Sequence, residues 1–270
     1  MRAVSIMYHD VLGEGEPFDA SGFPGADADL YKVTREDFEA HLCALAGALA
    51  DGVTDVLHIE DLQRGAEPVL LTFDDGGRGA LLAADLLEER GWRGHFLVAT
   101  DFIGHSTFLK RGEIRWLHER GHVIGSHSAS HPLRMASLPM LKVREEWKRS
   151  VGELSSIIGE RVRVASIPGG QYSRRVAEEA AGAGIEYLFT SEPVTRTWSV
   201  NGCMVLGRYT VQRRTAAQTV ARIAQGEQLP RLSQYALWNL KKGLKRFGGD
   251  AYLRIRQKIL GRRVRSVRSG

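Results

Sequence analysis

The chain has only two cysteines in 270 residues, too few for a disulfide framework. Cys43 falls in a helical pattern and Cys203 in a strand pattern, and both fit buried free thiols in a reducing cytoplasm. No apolar run approaches the roughly 20 residues needed to cross a bilayer. The N-terminal MRAVSIMYHDV turns polar after a short apolar stretch and shows no small-residue cleavage site, which argues against a secretory signal. Internal repeats, low-complexity tracts and flexible linkers are absent before residue 230, which argues against a repeat array.

Two further scarcities are local. There is no histidine after His131, and Asp250 is the sole acidic residue from Arg231 onward, where twelve basic side chains accumulate. That segment carries a formal +11, which leaves −6 for residues 1–230 if the whole chain is +5. An acidic body and a basic tail imply different tasks. With 43% hydrophobic and 26% charged residues, the body reads as an ordinary globular domain large enough for one core. The expected organisation is a domain over 1–230 and a basic amphipathic helical tail over 231–270.

Short β-rich apolar runs occur at 3–8, 69–73, 95–99, 122–124, 162–167, 185–190 and 203–211. Between them lie segments of helical periodicity at 35–49 behind Thr34, 79–89, 112–120, 141–158, 174–183 and 216–225. Alternating strands and helices predict a parallel sheet with crossover helices. About seven strands suit a closed or nearly closed α/β barrel. Residues 10–33, rich in Gly, Pro and Asp, read as one long loop, either functional or plain surface.

In such a barrel, polar residues just beyond the strands populate the functional face. Asp74 and Asp75 follow VLLTF directly. Alone, the pair reads first as a helix N-cap with a first-turn acid. A shared divalent ion would relieve the repulsion between adjacent ionised carboxylates and divide their labour into ligand and base. The stretch GHVIGSHSASHP strengthens that second reading. His127 and His131 stand at i and i+4, which on a helical turn would put both imidazoles on one side. Two histidines and one aspartate make a three-ligand site with a position left for water or substrate. The same set serves non-haem iron oxygenases, but a neighbouring second carboxylate favours hydrolysis. His122, at a strand start, reads as structural. His58, His95, His105 and His118 have no comparable position.

TFDDG followed by GSHSASHP resembles the polysaccharide deacetylase family, also known as the NodB homology domain or carbohydrate esterase family four. GHFLVATDFIG and GEIRWLHERGHVIGSH extend the likeness over about residues 1–225. The resemblance implies a distorted β/α barrel that removes acetyl groups from N-acetylated sugars with zinc or a similar divalent ion. Carried over, Asp75, His127 and His131 would hold the metal and Asp74 would be the general base. SIPGGQY resembles the third motif, and its implied oxyanion donor is the N–H of Gly169. Tyr172, Trp198 and Arg208 are the expected substrate-binding positions.

Three departures stand out. Ser166 occupies the place of an arginine that usually precedes the third motif, with Arg208 as a weak substitute. The Asp-plus-Trp motif that follows is unclear, although Trp198 lies in its region. The late Leu-x-His that protonates the leaving amine is missing. His9, at the end of the first predicted strand in IMYHDV, resembles the acid of a branch with circularly permuted motifs, which includes deacetylases of poly-N-acetylglucosamine exopolysaccharide. The expected function is N-deacetylation of an amino sugar or glycan in polysaccharide or cell-envelope biosynthesis. The rival is a catalytically silent carbohydrate-binding barrel that keeps its metal.

Leu237, Leu240, Leu244 and Phe247 recur at helical spacing beside Trp238, with Lys241, Lys242 and Lys245 on other faces. Such helices either lie on an anionic membrane or a glycan-synthesis complex, or pack back on the barrel. The expected location is the cytoplasm, with peripheral contact at the inner face of the membrane. Nucleic acid is not an expected partner, since no recognition motif accompanies the charge.

Overall fold

The computed structural model describes residues 1–61 and 67–240. In chain order its elements are β1 (Val4–Tyr8), β2 (Asp10–Leu12), α1 (Ala26–Asp29), β3 (Lys32–Thr34), α2 (Arg35–Ala48) and β4 (Val69–Phe73). There follow α3 (Gly79–Glu88), β5 (His95–Val98), α4 (Arg111–Glu119), β6 (Val123–Ser126), α5 (Met140–Ile158) and β7 (Val164–Ser166). The last are α6 (Arg174–Gly182), β8 (Tyr187–Phe189), β9 (Trp198–Val200), β10 (Cys203–Leu206), β11 (Tyr209–Thr210) and α7 (Ala217–Ala224).

The main sheet runs β11-β1-β4-β5-β6-β7-β8-β10-β9. Every pairing in it is parallel except β9 on β10. Its ends meet through the chain itself. The predicted run 203–211 splits at Gly207 and Arg208, so that β10 pairs with β8 while β11 pairs with β1. The split has a local cause: the Arg208 N–H leaves the ladder and donates to Glu192 O at 2.8 Å. One nine-residue segment thus completes a distorted barrel.

Strands such as VLLTF are buried at every position because a parallel sheet is covered on both faces. Alternate side chains then enter different cores. Val69, Leu71 and Phe73 pack under the helices with Ala83 and Leu87. Leu70 joins Ala3, Leu97, Val123, Val164, Phe189 and Leu206 in a second, interior cluster. Thr72 and Asp74 follow Leu70 on the same inward register, so the interior turns polar toward the strand C-termini. His95 is one of the buried polar groups and is structural. Its Nδ1 donates to Leu71 O at 2.7 Å, its Nε2 accepts from Val56 N at 2.8 Å, and burial pushes its pKa down to about 4. His122 is structural as expected, tied to Gly94 N and Glu88.

Thr34 caps α2 as expected, and α6 and α5 have bounds of their own. Thr34 Oγ1 accepts from Asp37 N, Ser173 Oγ accepts from Val176 N, and Gly159 closes α5 in the left-handed conformation. Trp147 of α5 is fully buried and donates to Val176 O at 3.2 Å, joining α5 to α6.

Two expectations are corrected. The stretch 10–33 contains α1, and β2 and β3 at its ends pair in parallel. Cys203 is buried, but Cys43 is exposed, because it lies outside the buried stripe of Phe38, His41, Leu42 and Leu45 on α2. The expected tail is described only to residue 240. Residues 228–240 are helical, while Leu244, Phe247 and the rest of the tail lie outside the described residues.

Candidate metal centre

Strand β4 delivers two carboxylates, and the backbone then separates them. Asp74 continues the ladder by one residue, donating its N–H to Tyr8 O at 3.1 Å, so its side chain follows Thr72 into the barrel. Asp75 turns left-handed at φ 77°, a conformation costing a non-glycine residue on the order of 1–3 kcal/mol. The two side chains therefore meet different partners.

Left-handed backbone recurs beyond β6, at Ser128 (φ 64°) and His131 (φ 54°). The spacing of His127 and His131 predicts a shared helical turn; the structure has an irregular loop instead. Pro132 disfavours helix at His131, and the two left-handed residues fold the chain back. Glu146 of α5 holds the loop, accepting from Ala129 N, Ser130 N and Ser130 Oγ at 3.0, 2.8 and 2.7 Å. Ser128 Oγ accepts from His131 N at 3.1 Å. Among the described residues, Asp75, Ser128 and His131 are three of the four non-glycine positions with positive φ. Strain is concentrated where geometry is critical.

The outcome is one cluster. Asp75 Oδ1 lies 3.4 Å from His127 Nε2 and 3.3 Å from His131 Nε2, and the three ligand atoms fall within 4.8 Å of one another. His127 Nδ1 donates to Ser166 Oγ at 2.5 Å, which leaves Nε2 as an acceptor. Nε2 and Oδ1 are then two acceptors facing each other, and Oδ1 is buried without a hydrogen bond among the described residues. That arrangement calls for a proton or a cation between them, and two imidazole nitrogens with one carboxylate oxygen fit a divalent ion. Burial opposes the Asp75 charge, but His127 and His131 hold its pKa well below the ordinary value. Burial likewise opposes protonation of His131, and Asp75 outweighs it, so that pKa is raised.

Asp74 is held separately. Arg208 Nη1 and Nη2 donate to Oδ1 and Oδ2 at 2.7 and 2.8 Å, and Ser166 Oγ donates to Oδ1 at 3.0 Å. Ser166 is thus a link, accepting from His127 and donating to Asp74. Arg208 also donates to Thr190 O at 2.9 Å and Thr72 Oγ1 at 3.1 Å. Burial pushes the Asp74 pKa up, and the Arg208 charge, with His127, more than offsets it, so the carboxylate is ionised. The expectation that Arg208 binds substrate is corrected here: its guanidinium is fully buried and committed to Asp74.

His9 follows β1, and its titration feels the charges of Asp75 and Asp74. Its Nδ1 is buried with no partner among the described residues, and burial lowers its pKa against the pull of those carboxylates. Gly169 has φ 66°, and a Cβ there would stand 2.4 Å from Leu133 O, so the third motif packs directly on the loop of His131. Tyr172 and Trp198, both half-buried, contact each other: Trp198 Nε1 donates to Tyr172 Oη at 2.9 Å.

The 13–31 segment packs over the site with two aromatic rings. Phe23 lies 4.8 Å from the His131 ring and Tyr31 lies 4.6 Å from the His9 ring, centroid to centroid. Buried Lys32 fastens the segment by donating to Phe18 O and, at 2.7 Å, to Phe23 O. Buried Asp10 fastens it to the aspartate turn: Ser21 Oγ donates to Asp10 at 2.7 Å and accepts from Gly79 N at 2.7 Å. A Cβ on Gly77 would stand 2.2 Å from Asp10 Oδ1, so only glycine fits. Burial, chiefly, raises the Asp10 pKa to about 7. Asp10, Lys32 and Glu146 were not legible as site residues. The side-by-side HD of YHDV was the one local signal for Asp10, and nothing in the sequence separates Glu146 from its neighbour Glu145 except helical phase.

The family model for polysaccharide deacetylase matches residues 61–188, a span that holds Asp74, Asp75, His127, His131, Ser166 and Gly169 but neither His9 nor Arg208. No curated protein matches. Among solved structures, a polysaccharide deacetylase from Bacillus cereus is 19% identical with a TM-score of 0.68, covering 83% of this chain and 69% of its own. The Streptococcus pyogenes deacetylase PplD is 18% identical with a TM-score of 0.69, covering 83% and 98%. IcaB from Ammonifex degensii is 21% identical with a TM-score of 0.68, covering 83% and 97%. At these identities the structural likeness establishes the barrel fold.

Proposed function

We propose that this chain, a member of the polysaccharide deacetylase family through residues 61–188, removes N-acetyl groups from an amino sugar or glycan with a divalent ion held by Asp75, His127 and His131. As a family member it is a hydrolase of the polysaccharide deacetylase type. The observation that carries the finer reading is the division of labour between adjacent aspartates: Asp75 faces two histidines, and Asp74 faces a buried arginine.

A bound divalent ion, zinc in this reading, supplies Lewis acidity that activates water near neutral pH and polarises a carbonyl oxygen. Asp74, ionised and fixed by Arg208 and Ser166, takes a proton from the attacking water. The water oxygen adds to the acetamide carbon, and the N–H of Gly169 donates to the oxyanion, an interaction type worth about 3–4 kcal/mol per donor. His9 gives a proton to the departing nitrogen as the C–N bond breaks, releasing acetate and a free amine. In this reading β1 brings the acid from the start of the chain, which the barrel allows because β11 and β1 are neighbours. Tyr172 and Trp198 are the proposed substrate contacts.

The proposed substrates are N-acetylglucosamine oligomers or exopolysaccharide intermediates, met in the cytoplasm. No helix among the described residues is long and apolar enough to cross a membrane. The test is acetate release by metal-reconstituted protein from oligomeric, lipid-linked and nucleotide-linked N-acetyl sugars. The reading expects release from one class, lost in Asp74→Asn. Stoichiometric metal without release from any of them would favour a silent carbohydrate-binding barrel.

A further inference from the structure

Residues 228–240 form a helix with one face fixed and the other bare. The fixed face carries buried Arg231, which donates to Ile223 O at 2.9 Å and pairs with Glu67 at 3.0 Å. It also carries Gln234, whose amide exchanges two hydrogen bonds with the Thr210 backbone of β11, at 3.0 and 3.1 Å. The helix is therefore clamped to the strand that closes the barrel.

Its outward face is mainly apolar, with Ser233 and Asn239 as exposed polar residues on it. Leu229, Leu232, Ala236 and Leu240 recur at spacings of three and four residues, which aligns them in one stripe. Leu237 flanks the stripe. Leu229, Leu232, Tyr235, Leu237 and Leu240 are between 45 and 75% exposed, and they make up five of the nine large apolar side chains exposed among the described residues. Arg231, the sole charged residue of the helix, is turned away into the barrel. A cluster this concentrated on a rigidly docked helix marks a contact surface.

Charge identifies the occupant. Immediately after Leu240, residues 241–270 bring eleven basic side chains against Asp250 alone. An apolar stripe that runs into a strongly cationic segment combines the two attractions of an anionic lipid surface: insertion of apolar side chains and attraction to charged headgroups. A second copy of the chain would answer the stripe but would bring two cationic segments together. Nucleic acid would answer the charge but leave five apolar side chains in water.

We infer that the outward face of helix 228–240 docks this protein on the surface of an anionic lipid bilayer, a choice of partner that the basic sequence following it favours. The stripe enters the headgroup region and the barrel is held outside it. This inference is independent of the chemistry proposed for the metal centre.

The test is co-sedimentation of the full chain with vesicles of phosphatidylcholine alone and of phosphatidylcholine mixed with phosphatidylglycerol, at low and high salt. The wild type is expected to sediment with the mixed vesicles only and to be partly released by salt. The double variant Leu232→Glu with Leu240→Glu should partition at least about tenfold more weakly, since two apolar anchors are replaced by charges that the surface repels. Both positions are exposed, so the circular dichroism spectrum and the acetate release from a soluble substrate should match the wild type. Any of four results overturns the inference. These are a wild type that stays in solution with both vesicles, a double variant that binds as well as wild type, self-association abolished by Leu232→Glu, and binding to duplex DNA or RNA that competes fully with vesicles. Loss of acetate release in every protein, with vesicle binding intact, would count against the deacetylase reading alone.

Discussion

Arg208 grips Asp74 with both terminal nitrogens, at 2.7 and 2.8 Å, inside the barrel and out of reach of solvent. The pair explains the altered third motif. Ser166 stands where an arginine was expected, and a cation arrives instead from the junction between β10 and β11. Ser166 keeps the remaining share of the task, linking Asp74 to His127 at 3.0 and 2.5 Å. The proposed base and one proposed metal ligand thus share a single hydroxyl as a common partner.

Removing Arg208 should cost both stability and rate. Arg208→Ala leaves a carboxylate buried without its partner, a loss of about 3–5 kcal/mol, measured by urea unfolding. Arg208→Lys keeps the charge but not the two-point grip. It should retain bound metal while kcat falls, with the pH at which Asp74 loses its proton moving upward in the acid limb of the rate profile.

Ser166→Ala removes the acceptor of His127 Nδ1–H and one donor to Asp74. Outer-shell changes of this kind typically cost about 10–100-fold in metal affinity or activity. Competition with a chelating dye measures the first and acetate release the second, and both should fall.

Metal binding should be opposed by acid. Asp75 raises the pKa of His131 above its ordinary 6.5, and that ring must lose its proton to become a ligand. Apparent affinity should therefore begin to decline above pH 6.5 as the pH is lowered. Calorimetry in buffers of different ionisation enthalpy should show proton release on binding, and Asp75→Asn should abolish the binding itself.

Asp10 should set a stability slope of opposite direction. In the metal-free protein its pKa is raised from 3.8 to about 7, so the folded state favours the protonated carboxyl. Its contribution is complete below about pH 4 and is lost as pH rises through about 7. The difference is a few kcal/mol at most, taking about 1.4 kcal/mol per unit. Asp10→Asn should flatten this dependence, gaining on wild type at pH 8 relative to pH 5 in thermal or urea unfolding.

All seven β-rich runs, and all six helical segments, were legible because strands buried on both faces are continuously apolar and the helices show apolar periodicity, with Thr34 a cap for the first of the six. The splitting of 203–211 was not legible, since both halves are apolar and only long-range pairing divides them. The cluster of Asp75, His127 and His131 was visible in the DDG and HSASH motifs, but its local geometry was not: Asp75, Ser128 and His131 take positive φ although none of them is glycine. Arg208 reads in sequence only as a substrate-binding position or a weak substitute for the missing arginine. Its partner lies 134 residues away, a separation that no local pattern encodes. Lys32 and Asp10 act through carbonyls and glycines of a loop with no periodicity to read.

The most direct measurement is acetate release from N-acetylglucosamine oligomers by zinc-reconstituted wild type beside Asp74→Asn, with bound metal quantified in both. Equal metal in the two proteins, with release by the wild type and none by the variant, is the predicted result. Equal release by both would contradict the role of Asp74 as the base and with it the division of labour between the adjacent aspartates.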